Sequence, residues 1–324
     1  MRWYLVVAIV VWVIAMLTGA GAALDPLFGD GRSIVDPDNV GAAGVTTIDV
    51  TLVDTTRSTP AIGAFAGAAE RALPTTVYLP AQPAGRGPAD PAAAPLVVLA
   101  HGFDGHPRKF TDLATFWAAA GYVVAVPRFP VTNDEFIALA DGPFFTERLA
   151  DLGDQAVDVS FVIDSVFTLN DRPDDVLAGR IDPDHIGLYG LSLGALTVWT
   201  ATMGGGATEN RVDALIQSDG AFPGDTALLL GVGFPVFVTG SDVDQIFPPD
   251  VVLPQFAALP EPKFLLVLHG ARHAAVGENT PTPADEAYRV ATTVFWNRYL
   301  AGRPDEPFPG SIVIDGVTSF IDES

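Results

Sequence analysis

The residue of this chain best suited to chemistry is a serine in the pentapeptide GLSLG at 190–194, with a glycine two positions away on each side. An apolar run typical of a strand precedes it at 185–189, and a run typical of a helix follows it at 195–202. A serine on a tight strand-to-helix turn has a strained backbone that projects its hydroxyl from the sheet, and the glycines remove side chains that would clash there. The pattern therefore predicts that Ser192 is a nucleophile.

A nucleophilic serine needs two partners, because its hydroxyl reacts poorly near neutral pH. A neutral imidazole must take its proton, and a carboxylate must orient that imidazole and stabilise the cation that forms. Two carboxylates, Asp242 and Asp244, follow one later strand-like run, and two histidines, His269 and His273, follow the next. The sequence thus supplies an acid and a base in the chain order Ser, Asp, His, with two candidates for each.

The position of each candidate in its loop favours one of the two. We prefer Asp244 because it lies deeper in its loop and because Pro248 stiffens the chain behind it, whereas Asp242 suits a turn or helix-cap carboxylate. His273 lies several residues past its strand and is free to reach back over the sheet edge. His269 still belongs to the strand end, where a histidine usually has a structural role.

An oxyanion hole is expected beside the serine. One donor is predicted to be the N–H of Leu193, the residue after the nucleophile, and the other the N–H of Phe103 in the loop 101–105. Gly102 lets the backbone of this loop turn sharply. His101 is expected to be structural, with its ring hydrogen-bonded beneath the loop.

Composition excludes several other functions. The chain has 17 Lys and Arg against 39 Asp and Glu, and the formal charge of −22 argues against nucleic acid or an anionic membrane surface as a partner. Because there is no cysteine, disulfides, zinc–thiolate sites and a cysteine nucleophile are excluded. The five histidines lie in dissimilar contexts without metal-ligand spacing, so we expect neither a metal nor a cofactor.

The N-terminus has the pattern of an export signal. Arg2 supplies a positive charge, residues 3–17 are apolar, and residues 18–23 are small residues suited to cleavage. The alternative is an uncleaved membrane anchor formed by residues 3–23, which are nearly long enough to cross a bilayer core of about 30 Å. In either case we expect a protein that is secreted or held in the cell envelope.

Beyond residues 1–23, the sequence predicts a single α/β domain at 24–324. Short apolar runs suited to a parallel sheet lie at 96–100, 122–126, 185–189, 214–217, 235–239 and 264–268. Helical patterns lie at 108–120, 151–169, 195–203, 249–258 and 283–300. Two further β-like runs, 46–54 and 71–79, are expected to pair antiparallel at the N-terminal edge of the sheet. The regular alternation indicates a doubly wound, mostly parallel sheet.

These segments together resemble the α/β-hydrolase superfamily. Within it, the chain is similar to the branch that contains platelet-activating-factor acetylhydrolases, chlorophyllase-like proteins and cutinase-like polyester hydrolases. The resemblance is carried by residues 71–80, 101–103, 158–164, 190–194, 240–248 and His273. A pattern of the polyester hydrolases, Gly-x-x-x-Asp-x-x-x-Pro, falls on Gly240, Asp244 and Pro248. Those enzymes usually have Trp or His before the serine and Met after it, where this chain has leucine on both sides.

The resemblance implies an α/β-hydrolase fold and a serine esterase that cleaves small-molecule or lipid esters through an acyl-enzyme. The short connection 218–234 leaves no room for a large cap, so we expect a minimal cap and an open site. The phenylalanines Phe129, Phe136, Phe144 and Phe145 either form an apolar wall for an acyl group or cover the core.

Two alternatives to ester hydrolysis remain. The same triad serves thioester, lactone or peptide hydrolysis, because a triad alone does not distinguish leaving groups. From a different class, the chain is a catalytically inactive, envelope-associated binding protein that keeps the fold. A base held out of reach of both the serine and the acid would favour this second alternative.

Overall fold

The central strands form because the sequence supplies short runs of Val, Leu, Ile and Phe, which suit a sheet buried on both faces. In a computed structural model that describes residues 44–81, 93–204, 209–279 and 282–324, these runs belong to one sheet of nine strands. The predicted signal peptide or anchor at 1–23 lies outside the described residues. The strands are β1 (Thr46–Asp54), β2 (Arg71–Leu79), β3 (Ala94–Ala100), β4 (Val123–Pro127), β5 (Ile181–Leu191), β6 (Val212–Ser218), β7 (Val236–Ser241), β8 (Lys263–Leu268) and β9 (Thr318–Glu323).

The strands follow the order β1-β2-β4-β3-β5-β6-β7-β8-β9 across the sheet. Strands β4, β3, β5, β6, β7 and β8 pair in parallel, whereas β1 and β2 run antiparallel to their neighbours at one edge and β9 does so at the other. The predicted α/β class, the mostly parallel sheet and its antiparallel N-terminal edge are therefore confirmed.

Helices cover both faces of this sheet. Along β3 the side chains alternate, so that Leu96 and Val98 join the core on one face while Val97 and Leu99 join the core on the other. Helices α4, α5 and α6 contribute to the first core, and α1 and α7 to the second. The helices are α1 (Thr111–Ala119), α2 (Phe136–Ala140), α3 (Phe145–Ala150), α4 (Leu152–Asn170), α5 (Leu193–Met203), α6 (Pro249–Ala258) and α7 (Asp285–Tyr299). Within the described ranges, none of the helices combines the length and the apolar character needed to cross a membrane.

Three elements were not predicted from the sequence pattern. Strand β9 has the sequence TSFIDE, in which only two residues are apolar, and it is a strand because all six residues pair with the edge of β8. Helices α2 and α3 have five and six residues, too few to show a helical period. They lie between β4 and α4, in a segment for which the sequence predicted neither a helix nor a strand.

The parallel strands bring the polar candidates to one edge of the sheet. Ser192 directly follows β5, Asp244 lies in the loop after β7, and His273 lies in the loop after β8. Because neighbouring parallel strands end on the same side, residues distant in sequence meet there. Between β6 and β7 the chain has only the short 3₁₀ turn Thr226–Gly231, so no large cap covers the edge at that point.

Candidate active site

Ser192 lies in the strained turn between β5 and α5. Its backbone angles, φ 54° and ψ −117°, fall in a region that residues other than glycine rarely adopt. A side chain at Gly190 would collide with the carbonyl of Gly194, and a side chain at Gly194 would collide with the carbonyl of Ala100. The Ser192 N–H donates to the carbonyl oxygen of Ser218 at 2.9 Å, which fixes the turn to the end of β6. The two glycines therefore permit the turn, and the strain projects the hydroxyl outward.

The imidazole of His273 connects this serine to the acid. Its Nε2 lies 2.8 Å from Ser192 Oγ, and its Nδ1 lies 2.8 Å from Asp244 Oδ2. Because an ionised carboxylate only accepts hydrogen bonds, Nδ1 carries the proton and Nε2 is left to accept from the serine hydroxyl. These residues, here called the elbow triad, have the tautomer and the contacts that proton removal from Ser192 requires.

Asp244 is buried, but hydrogen bonds from the surrounding protein stabilise its negative charge. Its Oδ1 accepts hydrogen bonds from the backbone N–H groups of Ile246 at 2.7 Å and Phe247 at 3.1 Å. Burial by itself raises the pKa of Asp244, but the hydrogen bond and charge of His273, together with these N–H groups, hold it below its ordinary value. The carboxylate is therefore ionised at neutral pH and can orient the imidazole.

The pKa of His273 is shifted in the opposite direction. Burial by itself lowers the pKa of this group, but the hydrogen bond to Asp244 and the negative charges of Asp244, Asp219 and Glu278 raise it above its ordinary value. A more basic imidazole takes a proton from a serine hydroxyl more readily, provided that the pH leaves it neutral at the start.

Asp219 is a residue of this site that the sequence reasoning did not single out. It directly follows β6 and is fully buried, its Oδ2 accepts the N–H of Ala274 at 3.0 Å, and its Oδ1 has no hydrogen-bond partner in the described part of the chain. Burial raises the pKa of Asp219 to about 7. Its position past the end of a parallel strand was a usable signal, the same one that identified Asp244.

The two other candidates, Asp242 and His269, form a separate set at the surface. His269 Nδ1 lies 2.9 Å from Asp242 Oδ2, and its Nε2 lies 3.1 Å from Ser319 Oγ on β9. Asp242 also accepts the N–H of Gly270 at 2.7 Å, the turn-stabilising role expected for it. We call Ser319, His269 and Asp242 the surface triad. The structure therefore brings Asp244 and His273 to Ser192, and leaves the other acid and the other base elsewhere.

Two backbone N–H groups are available near Ser192. In the described part of the chain, neither the N–H of Phe103 nor that of Leu193 donates to an acceptor, and Leu193 is the first residue of α5. The loop 101–105 lies against the elbow, since a side chain at Gly102 would come within 3.2 Å of Ser192 Cβ. Unpaired donors on two sides of a nucleophile, one of them at a helix N-terminus, suit the stabilisation of an oxyanion.

His101 fixes the direction of one of these donors. The backbone N–H of Phe129 donates to Nε2 at 3.1 Å, so Nδ1 carries the proton and donates to the carbonyl oxygen of Gly102 at 2.7 Å. Burial lowers the pKa of His101 to about 4, which keeps the ring neutral. In a trans peptide the C=O and N–H point in opposite directions, so holding the Gly102 oxygen also directs the N–H of Phe103. His101 thus lies beneath the loop, as predicted.

The four phenylalanines considered for an acyl wall divide between the core and the site. Phe129 is buried in the main core, whereas Phe136 is buried in a separate small cluster against which Phe144 packs. Phe145 on α3 stacks on the ring of Phe103, with 5.2 Å between the ring centroids. Phe145 is therefore the one of the four whose ring stacks on a predicted oxyanion residue.

Across the described ranges, no group of three or more His, Asp or Glu side chains could hold a metal ion. Searches against models of protein families and against curated proteins found no match to this chain. The interpretation of the site therefore depends on its own geometry, that of a serine on a strained turn hydrogen-bonded to a histidine and a buried carboxylate.

Proposed function

We propose that this protein is an exported serine hydrolase with an α/β-hydrolase fold, and that it cleaves carboxylic esters. The observation that carries the proposal is the pair of 2.8 Å contacts that His273 makes, one to Ser192 Oγ and one to Asp244 Oδ2. The order of the strands, with the serine after β5, the acid after β7 and the base after β8, supports the fold assignment.

The reaction proceeds in two halves. Ser192 Oγ attacks the ester carbonyl while His273 Nε2 takes the hydroxyl proton, and the N–H groups of Phe103 and Leu193 hold the oxyanion. His273 then gives the proton to the leaving alcohol, and an acyl-enzyme forms on Ser192. A water molecule then gives a proton to His273 as its oxygen attacks the acyl carbonyl. The bond between the acyl carbon and Ser192 Oγ breaks, the carboxylic acid leaves, and His273 returns the proton to Oγ. Asp244 orients the imidazole throughout and stabilises its charged form.

The inactive binding protein is disfavoured by the same geometry. An inactive relative of the fold has no need of a base within hydrogen-bond distance of both the serine and the acid. Nor does it need Ser192 in a strained conformation at φ 54°, since such strain persists only when the surrounding structure imposes it. Strain of this kind is concentrated at functional sites.

The test is a series of p-nitrophenyl esters from acetate to palmitate, assayed beside thioester, lactone and peptide substrates. We expect the esters to give the highest kcat/KM, with an optimum chain length that measures the acyl site, and we expect Ser192→Ala to abolish turnover. A higher kcat/KM for another substrate class would replace the ester assignment. Absence of turnover on every class would refute the enzyme.

Export is tested at the N-terminus. We expect protein recovered from outside the cytoplasm to begin after Ala22 or Ala23, because the small residues at 18–23 suit cleavage. An intact N-terminus on membrane-associated protein would favour the anchor instead. Full-length protein found only in the cytoplasm would contradict export in both forms.

A further inference from the structure

Arg148 on α3 is a buried cation that the mechanism above does not use. Its side chain has no exposed surface, and it donates to Asp104 Oδ1 at 2.6 Å. It also donates to the carbonyl oxygens of Val131 at 2.6 Å, Asn133 at 2.9 Å and Pro143 at 3.3 Å. With Nε and both terminal nitrogens engaged, the guanidinium is fixed in place and is not available to bind a substrate.

The same guanidinium holds the loop that carries Phe103. Its Cζ lies 4.2 Å from the centroid of the Phe103 ring, close enough for a cation–π interaction. Phe145, three residues earlier on the same face of α3, stacks on this ring as well. Asp104, the ionic partner of Arg148, has the left-handed φ of 55° and directly follows Phe103. Arg148 therefore contacts the ring of Phe103, the residue whose backbone N–H is the predicted donor, and it also contacts the residue that follows it.

The segment 131–133, whose first and last carbonyl groups accept hydrogen bonds from Arg148, is also connected to Leu193, the residue that supplies the second predicted donor. Thr132 lies between the two carbonyls of that segment, and its Oγ1 donates to Gln155 Oε1 at 2.7 Å. Gln155 Nε2 donates to Thr197 Oγ1 at 2.8 Å, and Thr197 Oγ1 donates to the carbonyl of Leu193 at 2.9 Å. Buried, fully paired chains of this kind hold a fixed geometry because each member would be costly to leave unpaired. The loop, the segment near Thr132 and the start of α5 are thus held together.

We propose that Arg148 is a positioning residue of the oxyanion hole, one that holds the Phe103 N–H at the distance from Ser192 that the transition state requires. The inference rests on the proposed function, because it concerns the same site. A displaced donor weakens binding of the transition state much more than binding of the substrate. Loss of Arg148 therefore lowers kcat and leaves KM nearly unchanged.

The experiment compares Arg148→Met with a matched control, Arg298→Met. Arg298 on α7 also stacks on a phenylalanine, with Cζ 4.5 Å from the ring of Phe308, and also donates to a backbone carbonyl, that of Glu306 at 2.6 Å. It lies on the other face of the sheet and is not connected to the oxyanion loop. The readouts are kcat and KM on a p-nitrophenyl ester, and hydrogen exchange of the loop amides of the unliganded protein.

For Arg148→Met we expect kcat to fall about 10²-fold with KM within about twofold. The amides of Asp104 and Gly105, which donate to Thr132 and Gly102, should exchange faster than in the wild type. Arg298→Met should change neither readout. Arg148→Lys should restore only part of kcat, because an ammonium keeps the charge but not the planar fork. Equal kcat in the two methionine variants, with unchanged exchange at Asp104 and Gly105, would overturn the proposal.

A second variant covers the case in which Arg148→Met does not fold. Asp104→Asn removes the charge of the partner but keeps a residue type that tolerates the left-handed backbone, and the Asp104 side chain is 35% exposed. We expect kcat to fall about tenfold, because a charge-assisted hydrogen bond becomes a neutral one. An unchanged kcat would overturn the proposal. If the wild type has no hydrolase activity, the proposed function itself has failed. The hydrogen exchange comparison then still decides whether Arg148 holds the loop.

Discussion

The elbow triad and the surface triad contain the same residue types with nearly the same hydrogen bonds. In each, Nδ1 of a histidine contacts Oδ2 of an aspartate and Nε2 contacts a serine hydroxyl, at 2.8 and 2.8 Å in the elbow triad and at 2.9 and 3.1 Å in the surface triad. Both aspartates follow β7 and both histidines follow β8. Hydrogen-bond distances alone therefore do not decide which of the two sets, if either, is catalytic.

The surroundings of the two sets differ. The imidazole and carboxylate of the elbow triad are 3% and 0% exposed, against 36% and 42% in the surface triad. Ser192 lies on a strained turn directly before a helix and beside unpaired N–H groups, whereas Ser319 lies in an edge strand with regular pairing to β8. Burial strengthens the electrostatic interactions within a site, and donors placed beforehand stabilise charge as it develops. We infer that these features, and not the three side chains alone, make the elbow triad reactive.

The largest expected difference between the two sets is at the serines. Ser192→Ala should lower kcat for a p-nitrophenyl ester by about 10⁶-fold, because the nucleophile is lost. Ser319→Ala, the matched control, should leave kcat within about twofold. Steady-state kinetics on protein with wild-type circular dichroism measures both. Comparable losses in the two variants would contradict the distinction drawn between the triads.

The acids should differ by a smaller factor. Asp244→Asn keeps the shape of the side chain but no longer fixes the tautomer of His273, so we expect kcat to fall about 10⁴-fold. Asp242→Asn should change kcat by less than about twofold, since its histidine contacts no reacting group. Kinetics on both variants at one pH tests this. A strong loss in Asp242→Asn would show that the surface triad takes part.

The pH dependence of activity should respond to the charges around His273. Because the base must be neutral, kcat/KM should fall as the pH decreases through the pKa of His273, which lies above its ordinary value. Burial raises the pKa of Asp219 to about 7, so this carboxylate is still partly ionised near neutral pH, and its charge favours the imidazolium. Asp219→Asn removes that charge, so the midpoint of this acid limb should move to lower pH. His269→Ala should leave the midpoint unchanged. A midpoint that stays constant or rises in Asp219→Asn would contradict the assigned role of that charge.

The smallest effect should be on stability. The contact between Asp242 and His269 is solvent-exposed, and even fully charged exposed pairs contribute only roughly 0 to 1 kcal/mol to the free energy of unfolding. We therefore expect His269→Ala to change that free energy by less than about 1 kcal/mol, as measured by urea denaturation. A larger loss would mean that the surface triad has a structural importance that its exposure does not indicate.

The sequence predicted the central sheet well, because parallel strands that are buried on both faces leave short, continuous apolar runs. It did not predict β9, because only two of the six residues in TSFIDE are apolar and the strand owes its structure to pairing with β8. Loop position favoured Asp244 and His273 over Asp242 and His269, and the structure brings the preferred pair to Ser192.

Other features of the site could not be predicted from local patterns. The hydrogen bonds of Arg148 to Asp104, and of Gln155 to Thr132 and Thr197, join residues 44, 23 and 42 positions apart. They follow from the way α3 and α4 pack against the loop, and no local pattern encodes that packing. Asp219 is an intermediate case, since its place after β6 was visible but its burial was not.

The most direct test of the account is covalent labelling with a fluorophosphonate, followed by mass spectrometry to locate the modified residue. We expect the wild type and His269→Ala to be labelled at Ser192 at the same rate. We expect His273→Ala to be labelled far more slowly, and we expect no labelling of Ser319 in any of these proteins. Labelling at Ser319, or equal rates in His269→Ala and His273→Ala, would contradict the claim that the surroundings of the elbow triad make Ser192 the nucleophile.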